Sequence, residues 1–317
     1  MNQPAAHRID IHHHVLPPFY LEEARAEITA TAVGFPHLFQ WTPQQSIEEM
    51  DRTGVATSVL SISTPGVWFG NDVRAARMAR RCNDYAAEQV AAHRGRFGMF
   101  AVLPLPDSAG SLREIAYAYD VLKADGIGLL TSYGNTWLGD PDYARVFDEL
   151  NRRRAVVFVH PSVPGCCTAT LPGVAPGLIE LLFDTTRTIT SLLFNGSFSR
   201  CPDIRFIFCH GGGTLAQVAD RVGNLARNPV AARRLPNGVE VELKKLYLDV
   251  ASMTGARSFN AIRDLVGIGK MLLGTDYPFG PIRPIVEGLG RLGLSNADLR
   301  AVERDNALAL LPQLGAK

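Results

Sequence analysis

Eight short apolar segments, each followed by a helical pattern, constrain the fold of this chain more than any other feature. Most of these segments are continuous runs of Val, Ile, Leu and Phe, as in parallel strands that are covered on both faces. The predicted strands span residues 8–14, 57–63, 97–103, 126–131, 155–160, 204–210, 246–251 and 271–276. The predicted helices span residues 43–53, 72–93, 108–123, 141–153, 177–199, 214–222, 256–265 and 284–291, with a last helix over 296–311.

Eight strand–helix units within 317 residues predict an α/β fold, a (β/α)8 TIM barrel that forms a single domain over residues 1–317. The alternative is an open doubly wound sheet, which normally carries a Gly-rich nucleotide loop after its first strand. Here the first strand ends in histidines, and Gly211-Gly212-Gly213 lacks the Lys-Ser/Thr of a phosphate loop. The long segments 17–41 and 161–176 follow the first and fifth strands, so we expect them to overhang the carboxyl ends of the strands as partial lids.

Two histidines lie one residue apart at the end of the first predicted strand. Ile9, Ile11 and Val15 alternate there with polar residues, which is the period of a strand. Residues i and i+2 of a strand point to the same face, so His12 and His14 present two imidazoles side by side. Neutral imidazole is a common ligand of divalent metals, although such a pair is also found in purely structural roles.

The ends of three other predicted strands carry residues of the same kind. His160, His210 and Asp276 end the fifth, sixth and eighth strands, and catalytic groups of a barrel gather at the carboxyl ends of its strands. The pattern predicts that His12, His14, His160 and Asp276 bind one divalent metal and leave a position open for water or substrate. His210 is then placed to act as a general acid or base. Each of these residues also has a structural interpretation, as a hydrogen-bonded strand end or a turn cap.

Two neighbours of the histidine pair are not counted among the ligands. His13 points to the opposite face of the strand and is expected to be structural. Asp10 shares the inward face but lies one step deeper in the barrel. It is expected either to orient a ligand histidine or to join a buried polar network.

The composition is that of a globular protein with a sizeable core, because 46% of the residues are hydrophobic and 20% are charged. The net charge of +1 gives no reason to expect nucleic acid as a partner, and no apolar run approaches the roughly 20 residues of a membrane span. The polar N-terminus does not resemble a secretory signal, so we expect a cytoplasmic protein. The five cysteines have no paired spacing, which favours free thiols. Cys166 and Cys167 are candidates for lining a pocket.

The chain resembles the amidohydrolase superfamily, and within it the branch of decarboxylases that includes aminocarboxymuconate semialdehyde decarboxylase and the benzoic-acid decarboxylases. The resemblance runs from residue 9 to residue 307, and 182–188 most resembles the 6-methylsalicylate decarboxylases. The segments that carry it are Ile9-Asp-Ile-His-His-His-Val-Leu-Pro17, Phe158-Val-His-Pro161, Leu182-Phe-Asp-Thr-Thr-Arg-Thr188, Pro202-Asp-Ile-Arg-Phe206, Cys209-His-Gly-Gly-Gly213, Leu273-Gly-Thr-Asp-Tyr-Pro-Phe279 and Asn306-Ala307.

The resemblance implies a metal site, a reaction and an assembly. His12, His14, His160 and Asp276 match the family's metal ligands, and His210 matches its catalytic histidine. The absence of a lysine in Gly128-Leu-Leu-Thr131 implies one metal, since binuclear members bridge their metals with a modified lysine there. Zn²⁺ suits the ligand set, and Mn²⁺ is the alternative. The family tends to form homodimers, and the helices after the fifth and eighth strands are candidates for the interface.

The leading hypothesis is non-oxidative decarboxylation of an ortho-hydroxybenzoate such as 6-methylsalicylate, which releases m-cresol and CO₂. The partner is then a small aromatic carboxylic acid, and resemblance suggests Asp276 as the proton donor with His210 assisting. Predicted substrate-binding residues are Arg187, Ser63, Trp68 and Phe279.

Two departures leave the substrate open. No arginine occurs in 37–41, where aminocarboxymuconate enzymes bind a carboxylate, and the resorcylate and vanillate enzymes tend to carry glutamate where this chain has His12. One alternative is a metal-dependent hydrolase of a lactone, an amide or a related small cyclic substrate. The other is a metal-binding scaffold without activity.

Overall fold

Eight parallel strands form one sheet in which the spatial order follows the chain order. The computed structural model describes residues 7–31, 35–163, 165, 171 and 174–315. The strands are β1 (Arg8–His14), β2 (Val55–Ser61), β3 (Phe97–Val102), β4 (Gly126–Leu130), β5 (Val156–His160), β6 (Arg205–Phe208), β7 (Tyr247–Asp249) and β8 (Met271–Leu272). All seven pairings between neighbours are parallel.

The segment after β8 brings the last strand back to the first and closes the barrel. Ile11 donates its backbone N–H to the carbonyl of Leu273 at 3.0 Å, and His14 donates to Tyr277 at 2.7 Å. In return, the backbone N–H of Asp276 donates to the carbonyl of His12 at 2.8 Å. The predicted (β/α)8 barrel is therefore confirmed, although β8 is shorter than the predicted strand over 271–276.

One main helix follows each strand, which is the arrangement that covers the outer face of a barrel. These helices are Pro43–Thr53, Asp72–Ala92, Ser108–Asp120, Ala144–Arg152, Glu180–Asn195, Leu215–Gly223, Ala256–Val266 and Arg283–Gly290. Shorter helices are Pro18–Glu23, Arg25–Thr31, Ser197–Arg200, Pro229–Arg234, Val239–Leu243, Asn296–Arg300 and Asn306–Leu310. No helix among the described residues is long and apolar enough to cross a membrane.

Local sequence explains where these helices begin and end. Thr42 accepts a hydrogen bond from the backbone of Gln45, whose side chain bonds back to Thr42 as a capping box, and Pro43 occupies the first helical position. Gly54 ends the same helix at φ 71°, a conformation that favours glycine. These signals account for the agreement between the predicted helix over 43–53 and the observed one.

The segment 17–41 after β1 is predicted as a long loop that forms a partial lid, and its described residues are mostly helical. It forms the helices Pro18–Glu23 and Arg25–Thr31 and the 3₁₀ turn Pro36–Gln40, and it buries Tyr20 and Leu38 against the core. Half of the second predicted lid, 161–176, lies outside the described residues, and so do Cys166 and Cys167. The predicted last helix over 296–311 is interrupted by a π turn at Ala301–Asp305.

An apolar floor lies inside the barrel beneath the strand ends. The ring of Phe158, two residues before His160, stacks on Phe100 with 5.2 Å between centroids. The same ring lies 5.2 Å from the imidazole of His12. Charged groups above this floor are therefore separated from water on their inner side.

Candidate metal and catalytic site

Three histidines and one aspartate meet above this floor, at the carboxyl ends of the strands. Ligand atoms of His12, His14, His160 and Asp276 all lie within 4.8 Å of one another. Asp276 Oδ1 is 3.1 Å from His12 Nε2, 2.9 Å from His14 Nε2 and 3.8 Å from His160 Nε2. Four side chains that are separated by up to 264 residues in sequence thus converge on one point.

The outer ring nitrogen of each imidazole has an acceptor of its own. His12 Nδ1 lies 2.8 Å from Asp249 Oδ2, His14 Nδ1 lies 3.3 Å from the carbonyl of Ser61, and His160 Nδ1 lies 2.8 Å from the carbonyl of Pro161. An imidazole that donates from Nδ1 presents the lone pair of Nε2. All three Nε2 atoms therefore face the centre as donors of electron pairs.

The electrostatics of the cluster follow from burial and from two carboxylates. Burial lowers the pKa of His14 to about 4 and that of His160 to about 3, so both imidazoles are neutral at pH 7.

His12 differs from these two histidines. Burial lowers its pKa, but the fields of Cys209, Asp249 and Asp276 outweigh this effect and hold the pKa well above its usual value. Burial raises the pKa of Asp276, but His12 and the other histidines outweigh it and hold that pKa well below the usual range. A cation at the centre would replace the proton that His12 otherwise takes.

His210 lies beside this cluster rather than in it. Its Nδ1 lies 3.3 Å from the carbonyl of Ala251, and its Nε2 lies 3.8 Å from Asp276 Oδ2. The backbone of His210 adopts φ 51° and that of Asp276 adopts φ 64°. Left-handed conformations cost non-glycine residues roughly 1–2 kcal/mol, and such strain concentrates at functional sites.

The glycines after His210 permit close packing. A Cβ on Gly213 would lie 2.1 Å from the carbonyl oxygen of Leu182. Glycine is therefore required where the helix Glu180–Asn195 crosses this turn, and the turn keeps His210 at the barrel mouth.

His13 and Asp10 form a separate buried network. His13 bonds to Asp10 Oδ2 at 3.0 Å and to Ser46 Oγ at 2.9 Å. Asp10 also accepts the backbone N–H of Thr275 at 3.0 Å and the Thr275 hydroxyl at 2.7 Å. Asp10 thus ties β1 to the segment that carries Asp276, which is the network role predicted as one of its two alternatives.

Comparison with known proteins decides the family. The amidohydrolase family model matches residues 9–313. The chain belongs to the amidohydrolase family. A decarboxylase, macB, of Penicillium terrestre is 34% identical over 96% of this chain and 95% of its own length. The 6-methylsalicylic acid decarboxylase of Penicillium expansum is 32% identical over 97% of both chains.

Solved structures agree on the fold. The dihydroxybenzoic acid decarboxylase of Polaromonas sp. JS666, solved with bound manganese and the inhibitor 2-nitroresorcinol, matches with a TM-score of 0.82 at 21% identity. The match covers 96% of this chain and 97% of that one. At 21% identity this match shows that the two proteins share the barrel fold.

Two of the four predicted substrate-binding residues lie at the histidine cluster of this amidohydrolase. Ser63 is buried with Oγ 3.5 Å from His160 Nε2, and the ring of Phe279 stands edge-on to His14 at 5.4 Å. Trp68 lies farther out, where its Nε1 donates to Asp72 at 2.8 Å. Arg187 lines a groove of about 460 Å³ with Trp137 and Phe183, and the lining of this groove includes neither His210 nor any of the four cluster residues.

Two acidic residues near the site were missed by the sequence-based reasoning. Asp249 is fully buried at the end of β7 and contacts His12. Asp184 is fully buried on the helix Glu180–Asn195 and accepts hydrogen bonds from Thr131, Ser132 and Trp137. The signal of Asp249 in the sequence is a charged residue inside the apolar segment Leu248-Asp249-Val250, whereas Asp184 is followed by polar residues, Thr185-Thr186-Arg187, and has no such signal.

Proposed function

We propose that this amidohydrolase is a metal-dependent, non-oxidative decarboxylase of an ortho-hydroxybenzoate such as 6-methylsalicylate. The observation that carries the proposal is the convergence of three Nε2 atoms and one carboxylate beside His210. Relatives at 32–34% identity over nearly the whole chain are decarboxylases, and two of these act on 6-methylsalicylic acid. A carboxy-lyase is therefore the reaction class that the relatives support.

The donor set fits a divalent cation. His12, His14, His160 and Asp276 would hold it, with three imidazole nitrogens and one carboxylate oxygen. This mixed set suits Zn²⁺ and also accepts Mn²⁺, the metal bound in the Polaromonas structure. A divalent ion held by these residues would supply the positive charge that attracts a negatively charged substrate.

The chain's own groups then have to deliver one proton. Decarboxylation breaks the bond between the ring carbon and the carboxylate and forms a C–H bond at that carbon, so one proton is consumed for each CO₂ released. His210 Nε2, which lies 3.8 Å from the ionised carboxylate of Asp276, is placed to deliver this proton to the ring carbon. The carbonyl of Ala251 fixes the orientation of the His210 ring through Nδ1.

The aromatic ring of the substrate needs an apolar wall and a partner for its charge. Phe279 offers an aromatic face beside His14, and Ser63 offers a hydroxyl beside His160. Trp68 is proposed to border the mouth of the slot. Arg187 is proposed to attract the substrate carboxylate, because its Nη1 is buried and has no hydrogen-bond partner among the described residues.

Product analysis tests the proposal. Protein purified without chelator and reconstituted with Zn²⁺ or Mn²⁺ is incubated with 6-methylsalicylate in D₂O. We expect m-cresol that carries deuterium at the carbon that bore the carboxylate, and we expect His210→Ala to lower kcat by about 10²–10⁴-fold with unchanged metal content. Absence of m-cresol, together with hydrolysis of simple aryl lactones, would replace this proposal with the hydrolase alternative. Bound metal together with neither activity would indicate the remaining alternative, a metal-binding scaffold without activity.

We also propose that the enzyme works as a homodimer in the cytoplasm. Cys82, Cys201 and Cys209 are buried free thiols, which suits a reducing compartment. The surface that supports a dimer is the helix Glu180–Asn195, where Phe183 and Phe194 are 45% and 40% exposed.

A further inference from the structure

Asp184 is a fully buried carboxylate with no part in the chemistry described above. Its Oδ2 accepts from Thr131 Oγ1 at 2.5 Å and from Ser132 Oγ at 3.0 Å, and its Oδ1 accepts from Trp137 Nε1 at 2.6 Å. An ionised carboxylate offers only acceptors, so it satisfies three donors at once. Burial raises the pKa of Asp184, while the bonds from Thr131, Trp137 and Ser132 act against that rise.

Thr131 connects this carboxylate with the metal site. The backbone N–H of Thr131 donates to the carbonyl of His160 at 2.9 Å. The backbone N–H of Ser162 donates to Thr131 Oγ1, also at 2.9 Å. Thr131 therefore holds both residues that flank Pro161, and Pro161 supplies the carbonyl to which His160 Nδ1 donates.

The hydroxyl of Thr131 is directed by Asp184. A threonine hydroxyl has a single hydrogen to donate. Because Oγ1 accepts from Ser162, that hydrogen is free to point at Asp184 Oδ2. Without the carboxylate, the hydroxyl can rotate, and its lone pairs need no longer face the N–H of Ser162.

We propose that Asp184 is a positioning residue for the metal site, which fixes the 160–162 turn, and with it the ring of His160, through the hydroxyl of Thr131. The inference rests on the proposed function in one respect, since it takes His160 to be a metal ligand. Asp184 acts through Thr131 and contacts neither His160 nor the reacting atoms. The same carboxylate fixes the indole of Trp137, which gives a spectroscopic report on its charge.

The backbone around Thr131 has a second support. Thr188 Oγ1 donates to the carbonyl of Thr131 at 2.9 Å and accepts from the backbone N–H of Leu138 at 3.2 Å. The end of β4 therefore stays attached to the helix Glu180–Asn195 when the Asp184 charge is removed. Loss of that charge is expected to disturb the orientation of His160 more than the fold.

Zn²⁺ affinity, measured by competition with a chromogenic chelator, tests the proposal. Asp184→Asn and Thr131→Val are each expected to weaken Zn²⁺ binding about tenfold, and Thr131→Ser, which keeps the hydroxyl, to stay within about twofold of the parent protein. Glu242→Gln is the matched control, because Glu242 is also a fully buried carboxylate, bonded to Ser199 and Lys245 away from the strand ends. It should lower stability to urea without weakening Zn²⁺ binding.

Trp137 fluorescence provides a second readout. The tryptophan emission of Asp184→Asn should be shifted relative to that of the parent protein, and the shift should be absent when the substitution is made in a Trp137→Phe background.

The positioning role is overturned if Asp184→Asn binds Zn²⁺ with the same affinity as Glu242→Gln. His160→Ala separates this failure from that of the proposed metal site. If His160→Ala also binds Zn²⁺ as the parent does, the ligand assignment is wrong, and if it loses binding, only the role of Asp184 is wrong.

Discussion

Asp249 accepts hydrogen bonds from two of the histidines that meet at the barrel mouth. Its Oδ2 lies 2.8 Å from His12 Nδ1, and its Oδ1 accepts the backbone N–H of His210 at 2.8 Å and that of Ala251 at 3.0 Å. Burial raises the pKa of Asp249, but His12 and His210 outweigh it, so the carboxylate stays ionised. One residue thus orients both a candidate ligand and the candidate acid–base group.

Asp249→Asn tests this residue with almost no change in shape. An amide in place of the carboxylate removes the charge and turns one acceptor into a donor, so the Nδ1–H of His12 or the N–H of His210 loses its partner. Outer partners of metal-binding histidines are typically worth 10–100-fold in metal affinity. We expect a loss of about that size in Zn²⁺ affinity, measured by chelator competition. Affinity that matches the parent protein would show that His12 does not depend on this carboxylate.

The difference between Asp249 and Asp276 shows what the sequence can predict at single residues. Asp276 ends an apolar segment and lies within the specific pattern Gly274-Thr-Asp-Tyr-Pro278. This position marks it as a candidate ligand. Asp249 lies in a similar apolar segment but precedes Val250, so it looks like an isolated strand residue. Its role depends on the closure of the barrel, which brings Asp249 to His12 across 237 residues of sequence, and no local pattern carries that information.

Element boundaries were predictable where local chemistry fixes them. The capping box at Thr42 and the glycine at Gly54 mark both ends of the helix Pro43–Thr53. The prolines of the segment after β1 are typical of a loop, which is what the sequence predicts there, but Pro18 and Pro36 each occupy a first helical turn. Tertiary burial of Tyr20 and Leu38 stabilises these short helices, and burial of this kind cannot be read from a local pattern.

The helix Ala144–Arg152 carries a pH-dependent stabilising contact. Glu149 Oε1 accepts from Arg153 Nε at 2.6 Å, and both of its oxygens accept from Arg152 at 2.7 Å. The hydrogen bond from Arg152 is the main reason that the pKa of Glu149 falls to about 2. Because the folded pKa lies below that of an unfolded glutamate, about 4.3, the stabilisation is present above pH 4.3 and is lost as the pH falls towards 2.

Glu149→Gln should therefore lower the free energy of unfolding by about 1 kcal/mol at pH 7, a value discounted for the partial exposure of the pair. Urea denaturation of both proteins at pH 7, 5 and 3.5 measures the difference, which should shrink at the lowest pH. Glu48→Gln is the control, since Glu48 is an exposed glutamate on the helix Pro43–Thr53. A difference for Glu149→Gln that is constant with pH would mean that packing, and not the charge, accounts for the effect.

At the scale of the whole molecule, the exposed apolar residues are unevenly distributed. The helix Glu180–Asn195 and the turn before it expose Leu178, Phe183 and Phe194, at 69%, 45% and 40%. The groove with Trp137 lies on the same face. The helix Arg283–Gly290, the other predicted interface candidate, has none of the large exposed apolar residues in the described part of the chain. Of the two predicted interface candidates, this distribution favours the helix Glu180–Asn195 as the contact between two copies.

The proposed homodimer can be tested by a direct measurement of mass. Light scattering coupled to size-exclusion chromatography should give a mass about twice the 34.5 kDa of one chain. A stable dimer buries roughly 800 Å² of surface on each partner. A charge in the middle of such a surface is costly to desolvate, so Phe183→Glu should shift the mass towards that of one chain. Val73→Glu is the matched control, since Val73 is 83% exposed on the helix Asp72–Ala92, and it should leave the dimer intact. A parent protein that elutes as a monomer over a wide concentration range, or a dimer that Phe183→Glu does not weaken, would rule out this face as the interface.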